Sequence, residues 1–278
     1  MSRIELSVFG CDIRIECMDD RAESLVRANY GSLKNVAKDP RVFYRITRGE
    51  ASEGLLIERN GSPCPMLARD DYDFLYMLEK DVTIETQKLR PDLFFVHAAI
   101  LELDGHSMAL VAPSGHGKST TAWGLLHYGF KYVSDELAPI DLTTIRVHPF
   151  PHALCLKSLP PNDFPLPDET IFTAYTAHVP TDCLPSQTAL ETLPLRTLFF
   201  LRFEPENSRP VLKPAGKAEA TVHLLRNALN PLAHQSDGLD AAIRIVSNVH
   251  CFELLSSNLQ LTCELIKSSF RGIFSAPR

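Results

Sequence analysis

The stretch that decides the fold is Met108-Ala109-Leu110-Val111-Ala112-Pro113-Ser114-Gly115-His116-Gly117-Lys118-Ser119. Residues 112–119 match the pattern G-x-x-x-x-G-K-S/T, with alanine in the first glycine position. A chain of this length contains such a relaxed match by chance in roughly 2% of cases. The residues on either side of the match must therefore show whether it is a functional motif. Residues 108–111 predict a strand that runs into the loop, and Ser119 to His127 predict a helix that ends at Gly129. Strand, glycine-rich loop and helix in this order predict an α/β fold.

The residue types in the loop suit a triphosphate. Gly115 and Gly117 let backbone N–H groups turn toward phosphate oxygens, and the start of the helix adds its dipole. We expect Lys118 to reach the β- and γ-phosphates and the Ser119 hydroxyl to bind Mg²⁺. The predicted nucleotide contacts are Ser114, Gly115, His116, Gly117, Lys118, Ser119 and Thr120. The sequence therefore predicts a bound nucleoside triphosphate, ATP by default, together with Mg²⁺.

A hairpin upstream of the loop brings a histidine beside it. Asp104-Gly105 is the dipeptide of a two-residue type I′ turn, with alternating apolar residues on both sides. If Leu103 pairs with His106, the same register carries His97 opposite Ala112. A lone histidine in an apolar stretch is more often a core residue. This register instead predicts that His97 positions a group or transfers a proton at the γ-phosphate end of the site.

Two acids follow the next short strand. Residues 130–133 predict the strand, which runs into Ser134-Asp135-Glu136. Carboxylates at a strand end beside a phosphate loop hold Mg²⁺ or accept the proton of an attacking hydroxyl. Asp135 is therefore the candidate general base, and Ser119, Asp135 and Glu136 are the candidate Mg²⁺ ligands. The alternative is that either acid only caps the segment that follows.

These features resemble, in order and spacing, the catalytic domain of the HPr kinase/phosphorylase family. Its members are bacterial serine kinases with a fold similar to that of phosphoenolpyruvate carboxykinase. The resemblance is specific over residues 94–157, weaker toward the C terminus and absent from residues 1–90. It implies a P-loop kinase core with a mixed sheet and helices. It also implies that His97, Lys118, Ser119 and Asp135 match the family's histidine, phosphate-loop lysine and serine, and first acidic residue.

Two departures from the family pattern bear on the activity. Glu136 stands where the family has a second aspartate, which leaves Mg²⁺ binding open but puts a reverse, phosphorolytic activity in question. The family's longer motif beyond the acids is replaced by residues 149–157. The chain thus looks like the shorter HPr-kinase-related proteins, some of which phosphorylate a serine of a peptide precursor. The phosphocarrier protein HPr is therefore not the expected acceptor.

The chain is predicted to divide near Pro91. Residues 1–90 predict a small α+β module, with short strands, a helix capped by Asp19 or Asp20 and a longer helix from about Asp70 to Leu89. Residues 91–278 are the predicted P-loop kinase domain. Within it, the proline-rich segment from Ser158 to Leu193 predicts a long loop or lid.

Further elements are predicted after this segment. They are a strand over Thr197 to Phe203, a helix over Lys217 to Ala228, a helix over Asp237 to Val249, a strand near Cys251 to Leu255 and a closing helix to about Phe270. The second of these elements is expected to bury Ala218, Val222 and Leu225. Lys157 and Arg202 each follow or lie within an apolar strand. They are the candidates for stabilising the transferred phosphate. A solvated role is equally open for both.

Composition limits the partners. The 278 residues are 45% apolar with a formal net charge of −6, which gives no electrostatic footprint for nucleic acid or an anionic membrane. No apolar stretch is long enough to span a bilayer, and acids stand near Met1 where a signal peptide would need apolar residues. The seven scattered cysteines are expected to be mostly reduced thiols. We therefore expect a cytoplasmic protein. The family's oligomers suggest a homo-oligomer by analogy only.

Three functional classes follow from these residues. The first is a kinase for a serine of a peptide or protein, with residues 1–90 available to grip a polypeptide. The second is a kinase for a small-molecule alcohol, which would use the same catalytic residues. The third is a non-catalytic nucleotide-binding regulatory module, against which the presence of Asp135 argues. The proposed mechanism for the first two is in-line transfer, with Asp135 as base, His97 assisting and Lys118 stabilising the transferred group.

Overall fold

The computed structural model describes residues 1–33, 39–49 and 54–275. They form a mixed α/β protein whose chain divides into two compact units. The first unit holds Met1–Arg90, Pro151–Lys157 and Pro167–Cys183, and the second holds Pro91–Phe150, Ser158–Leu166 and Leu184–Arg278. The division at Arg90 lies beside the boundary predicted near Pro91. Two segments of the predicted kinase domain nevertheless cluster with the first unit.

The strands fall into three sheets. In chain order they are β1 (Ser2–Val8), β2 (Cys11–Cys17), β3 (Val42–Arg48), β4 (Leu55–Arg59), β5 (Met66–Ala68), β6 (Leu93–Val96), β7 (Ala98–Leu103), β8 (His106–Val111), β9 (Lys131–Ser134), β10 (Ala138–Asp141), β11 (Arg146–Val147), β12 (Leu154–Leu156), β13 (Ile171–Phe172), β14 (Ala177–Val179), β15 (Leu193–Phe203), β16 (Val211–Pro214) and β17 (His250–Ser256). The α-helices are α1 (Asp20–Tyr30), α2 (Asp71–Leu89), α3 (Lys118–His127), α4 (Lys217–Arg226), α5 (Leu239–Asn248) and α6 (Leu259–Ser275). Among the described residues no helix combines the length and the apolar character that crossing a membrane requires.

The first unit is built on a five-stranded sheet in the order β1-β2-β3-β4-β5. Alternate residues of β1 and β2 are buried, which is the period-2 pattern of a half-buried strand. Both helices begin at an aspartate cap: the Asp19 carboxylate accepts from the Ala22 N–H at 3.0 Å, and the Asp70 carboxylate accepts from the Asp73 N–H at 2.8 Å. The first unit thus combines a sheet with the helices α1 and α2.

The hairpin of β7 and β8 has the register that its turn predicts. Asp104 and Gly105 have φ of +53° and +81°, as a type I′ turn requires. Leu103 pairs with His106, and the ladder continues to Ala98 opposite Val111. The hydrogen-bonded ladder stops there, because the His97 N–H donates to the Asn227 carbonyl at 2.8 Å. His97, the residue before β7, thus lies beside the point at which β8 ends.

Four strands of the nine-stranded sheet have their C-terminal ends at the same edge. The local order is β9-β7-β8-β15-β17. Strands β8 and β9 are both antiparallel to β7, and β15 is parallel to β8 and β17, so β8, β9, β15 and β17 run in one direction. Ligands of open α/β sheets bind outside the carboxyl ends of such strands. The predicted phosphate loop, residues 112–119 after β8, and the acids after β9 therefore lie at the same edge, as does the C-terminal end of β15.

Two sequence interpretations in the second half need correction. The segment Ser158 to Leu193 is not one continuous loop, since it contains β13 and β14, which pair with each other, and buries polar side chains such as His178. Helix α4 buries Ala220, Thr221 and Leu224, whereas Val222 is 57% exposed. Small apolar residues lie on both faces of α4, so periodicity could not choose between them. The packing of Ala220 and Leu224 into one core cluster with residues of α5 decides the face.

Helix α3, which starts at the phosphate loop, packs closely on α6. Gly124 lies in the middle of α3, where glycine is unfavourable by about 1 kcal/mol relative to alanine. A Cβ at this position would lie 2.7 Å from the Cys263 sulfur and 2.9 Å from Leu259 Cδ1, both in α6. Because Gly124 has no side chain, α3 and α6 can pack at this short distance.

We predict that Gly124→Ala destabilises the protein, because overpacking costs typically about 1–3 kcal/mol and outweighs the better helix propensity of alanine. The matched control is Gly272→Ala in α6, where a Cβ meets nothing within 4 Å. The control should be neutral or stabilising by up to about 1 kcal/mol. Denaturant unfolding of both variants checks this, and equal stabilisation of the two would contradict the packing argument.

Candidate functional site

The phosphate loop joins β8 to α3. Gly115 and Gly117 have φ of +82° and +86°, a conformation that other residues adopt only with strain. Gly117 is the N-cap of α3, and the first helical hydrogen bond runs from the Thr121 N–H to the Gly117 carbonyl at 2.8 Å. Helix geometry leaves the N–H groups of the first turn without intrahelical acceptors. A loop of this shape, opening a helix, is an anion-binding arrangement.

The Lys118 side chain folds against the loop. It is only 4% exposed, and its ammonium donates to the carbonyls of Ala112 at 2.9 Å and Pro113 at 3.3 Å. A buried ammonium is unfavourable unless it is hydrogen-bonded, so these carbonyls stabilise its position. The Lys118 ammonium therefore lies against the first residues of the loop.

The remaining loop residues form the outer rim. Ser114, Gly115 and His116 are exposed, whereas Ser119 and Thr120 are half-buried in the first turn of α3. The His116 Nδ1 lies 3.1 Å from the Ser114 carbonyl oxygen. A Cβ placed on Gly117 would lie 3.8 Å from the Cβ of Phe203, which is the last residue of the neighbouring strand β15. The end of β15 therefore lies beside the loop.

His97 has a carboxylate partner. Its Nε2 lies 2.7 Å from Glu136 Oε2, and both side chains are partly buried. The sequence assigned Glu136 to Mg²⁺ and left His97 without a named partner. In the structure the Glu136 carboxylate contacts the His97 imidazole and orients the ring, and the role of Glu136 as a Mg²⁺ ligand stays a prediction.

Glu136 occupies a strained backbone position. Its φ is +67°, and it lies at the centre of a tight turn closed by a hydrogen bond from the Leu137 N–H to the Asp135 carbonyl at 2.8 Å. The Ser134 hydroxyl donates to the Leu137 carbonyl and closes the same turn. A residue with a side chain is uncommon at such φ, and strain of this kind persists where the surroundings enforce it.

Asp135 is fully buried, with no exposed surface. It follows the last residue of β9, and β9 is separated from β8 by β7 alone. Adjacent strands lie about 4.8 Å apart, which puts the acid roughly 10 Å across the sheet from the strand that feeds the phosphate loop. A triphosphate extends over that order of distance, so the two features can act on one ligand.

A cavity of about 560 Å³ opens at this sheet edge in the second unit. It brings together the predicted residues His97, His116 and Arg202 with the first residues of the phosphate loop. Arg202 is 64% exposed along its side chain and forms an ion pair with Glu204 at 2.7 Å. Lys157, by contrast, follows β12 in the first unit and is exposed. The phosphate-stabilising roles of Arg202 and Lys157 stay predictions.

Three residues of the cavity wall escaped the sequence interpretation. Glu219 and His223 lie on α4 and Glu253 on β17, and one ligand atom from each lies within 4.8 Å of the others. The Glu253 carboxylate beside Glu219 raises the pKa of Glu219, first by a shared hydrogen bond and then by its charge. The i, i+4 spacing of Glu219 and His223 was visible in the sequence. The placement of α4 against β17 was not.

Comparison with known proteins adds a distant structural likeness. No protein-family model matches the chain, and no curated protein matches it in sequence. One similar solved structure is the Hpr(Ser) kinase/phosphatase from Coxiella burnetii, with 11% sequence identity, a TM-score of 0.34, and coverage of 66% of this chain and 99% of that chain. A likeness at this level does not establish a shared activity. Function therefore has to be inferred from the residues of this chain.

The strain at Glu136 can be measured with two variants that both lack its carboxylate. Glu136→Gly should be more stable than Glu136→Ala by about 1–2 kcal/mol, because only alanine pays for the left-handed conformation. Chemical unfolding of the two proteins under the same conditions gives the difference. If Glu136→Ala proves equally or more stable, the turn does not have the conformation described.

Proposed function

We propose that the chain is an ATP- and Mg²⁺-dependent phosphotransferase that moves the γ-phosphoryl group to a hydroxyl acceptor, a serine of a peptide or protein. One observation carries the proposal. The glycine-rich loop with its held lysine, the buried Asp135 and the His97–Glu136 pair lie at one edge of one sheet. This combination supplies an anion-binding loop together with acid and base groups, which are the parts that phosphoryl transfer needs.

In this proposal the phosphate loop binds the triphosphate. Backbone N–H groups of residues 114–120 contact the phosphate oxygens, and the Lys118 ammonium exchanges its carbonyl partners for β- and γ-phosphate oxygens. The exchange is favourable because hydrogen bonds between ionised partners are stronger than those to a neutral carbonyl. Lys118 then stabilises the charge that spreads over the transferred group.

The acids and the histidine handle the acceptor. The acceptor oxygen attacks the γ-phosphorus, the bond from that phosphorus to the ADP oxygen breaks, and Asp135 takes the hydroxyl proton. Glu136 holds the His97 ring in place in the wall of the cavity, where the ring assists the transfer by hydrogen bonding. Ser119, Asp135 and Glu136 would supply oxygen ligands for Mg²⁺, which when bound would neutralise phosphate charge.

A small-molecule alcohol is the second candidate acceptor. The cavity beside the phosphate loop has the volume of a typical small-molecule site, and charged and imidazole side chains converge in its wall. A serine side chain could enter the same cavity as part of a peptide. Both acceptors use the same loop, acids and histidine, so only a direct test with each class separates them.

The test is transfer of label from γ-³²P-ATP with Mg²⁺, with a pool of serine-containing peptides and, separately, a pool of small alcohols. We expect label on peptide from the wild type. Asp135→Asn should retain ATP binding but lower transfer by about 10²–10⁴-fold, the usual contribution of a general base. Asp163→Asn, at an exposed position, is the matched control and should transfer at the wild-type rate.

The other outcomes revise the proposal in defined ways. Label that appears only on an alcohol and disappears in Asp135→Asn would make the protein a small-molecule kinase with the same site. Tight ATP binding without label on any acceptor would contradict phosphotransfer and favour a nucleotide-binding regulatory module. Unaltered transfer by Asp135→Asn would remove this residue from the role of base.

A further inference from the structure

We propose that Glu219, His223 and Glu253 bind a divalent transition-metal ion of the Zn²⁺ or Mn²⁺ class in the wall of the cavity beside the phosphate loop. The site is distinct from the Mg²⁺ ligands assigned to Ser119, Asp135 and Glu136. It does not depend on the proposed phosphotransfer, because it is formed by its own donor atoms on other elements of the second unit.

The three donor atoms are spaced for a single ion. The ligand oxygens of the two glutamates and a ring nitrogen of His223 lie within 4.8 Å of one another. An ion of this class holds nitrogen and oxygen ligands at about 2.0–2.2 Å, so neighbouring ligands of a tetrahedral ion are about 3.3–3.6 Å apart. Side-chain movements on the order of 1 Å would therefore bring the three donor atoms onto one ion.

The backbone that carries these donors is fixed by regular structure. Glu219 and His223 are one helical turn apart on α4, which places both on one face. Glu253 lies in β17 and is paired with Phe200 of β15 on one side and Lys213 of β16 on the other. The His223 ring packs against Phe200, with the ring centroids 5.2 Å apart. Little backbone entropy therefore remains to be lost when an ion binds.

The chemistry of the donor set also favours a cation. Two carboxylates this close repel each other in their ionised forms, and a divalent ion between them converts that repulsion into attraction. A neutral imidazole adds a nitrogen ligand, which distinguishes the site from an all-oxygen Mg²⁺ or Ca²⁺ site. Carboxylate and imidazole together are ligands of Zn²⁺ and Mn²⁺.

The cavity leaves room for a further ligand. Three protein ligands leave at least one coordination position of a tetrahedral ion unfilled, which is the pattern of sites that bind water or a substrate. The three ligand residues line the same cavity as His97 and Arg202. An anionic or hydroxyl group in the cavity could therefore bind the ion directly.

The experiment is a titration of the full-length, reduced protein with Mn²⁺, followed by electron paramagnetic resonance, and with Co²⁺ as a spectroscopic stand-in for Zn²⁺. We expect one site that Glu253→Gln and His223→Ala each weaken at least tenfold. His250→Ala removes an exposed imidazole at the start of β17 and should bind as the wild type does.

Two results would overturn the proposal. One is the absence of any site tighter than the background from other thiols and imidazoles, which all variants share. The other is equal affinity in the wild type, Glu253→Gln and His223→Ala. Glu219→Gln, at an exposed position, is the variant least able to disturb folding, and circular dichroism of each protein separates lost binding from lost structure. Phosphotransfer plays no part in this readout, so its failure would leave the result unchanged.

Discussion

The antiparallel pairing of β7 with β8 is the constraint on which the site depends. The turn at Asp104 and Gly105 permits a single register, and a slip by one residue would turn the side chains of one strand to the opposite face of the sheet. With this register, His97 lies where β8 gives way to the phosphate loop. Because β9 pairs on the other side of β7, the same strand also determines where Asp135 leaves the sheet.

Local signals in the sequence were sufficient for this part of the fold. The Asp-Gly dipeptide specified the hairpin, the glycines specified the loop, and Gly129 specified the end of α3. Each of these depends on backbone conformation within a few residues. The partner of His97 was not predictable in this way, because the contact with Glu136 depends on a tight turn whose central residue adopts an unfavourable φ.

The other features of the site arise from packing between elements, which no local sequence pattern specifies. Helix α4 offers small apolar residues on two faces, and only its contact with α5 and the sheet shows which face is buried. The same contact turns Glu219 and His223 toward Glu253 and creates the acidic wall of the cavity. At α3, a glycine that looks unfavourable for a helix is explained by the approach of α6. These features join residues that are distant in the chain, such as Gly124 and Cys263, and periodicity carries no information over such separations.

In the proposed function, the loop between β8 and α3 binds a triphosphate through Lys118. The most direct measurement is a crystal structure of the protein with Mg²⁺ and a non-hydrolysable ATP analogue. We predict that the triphosphate lies along residues 114–120 and that the Lys118 ammonium leaves the carbonyls of Ala112 and Pro113 for phosphate oxygens. A nucleotide bound elsewhere, or a lysine that keeps both carbonyl partners beside bound phosphate, would contradict the account.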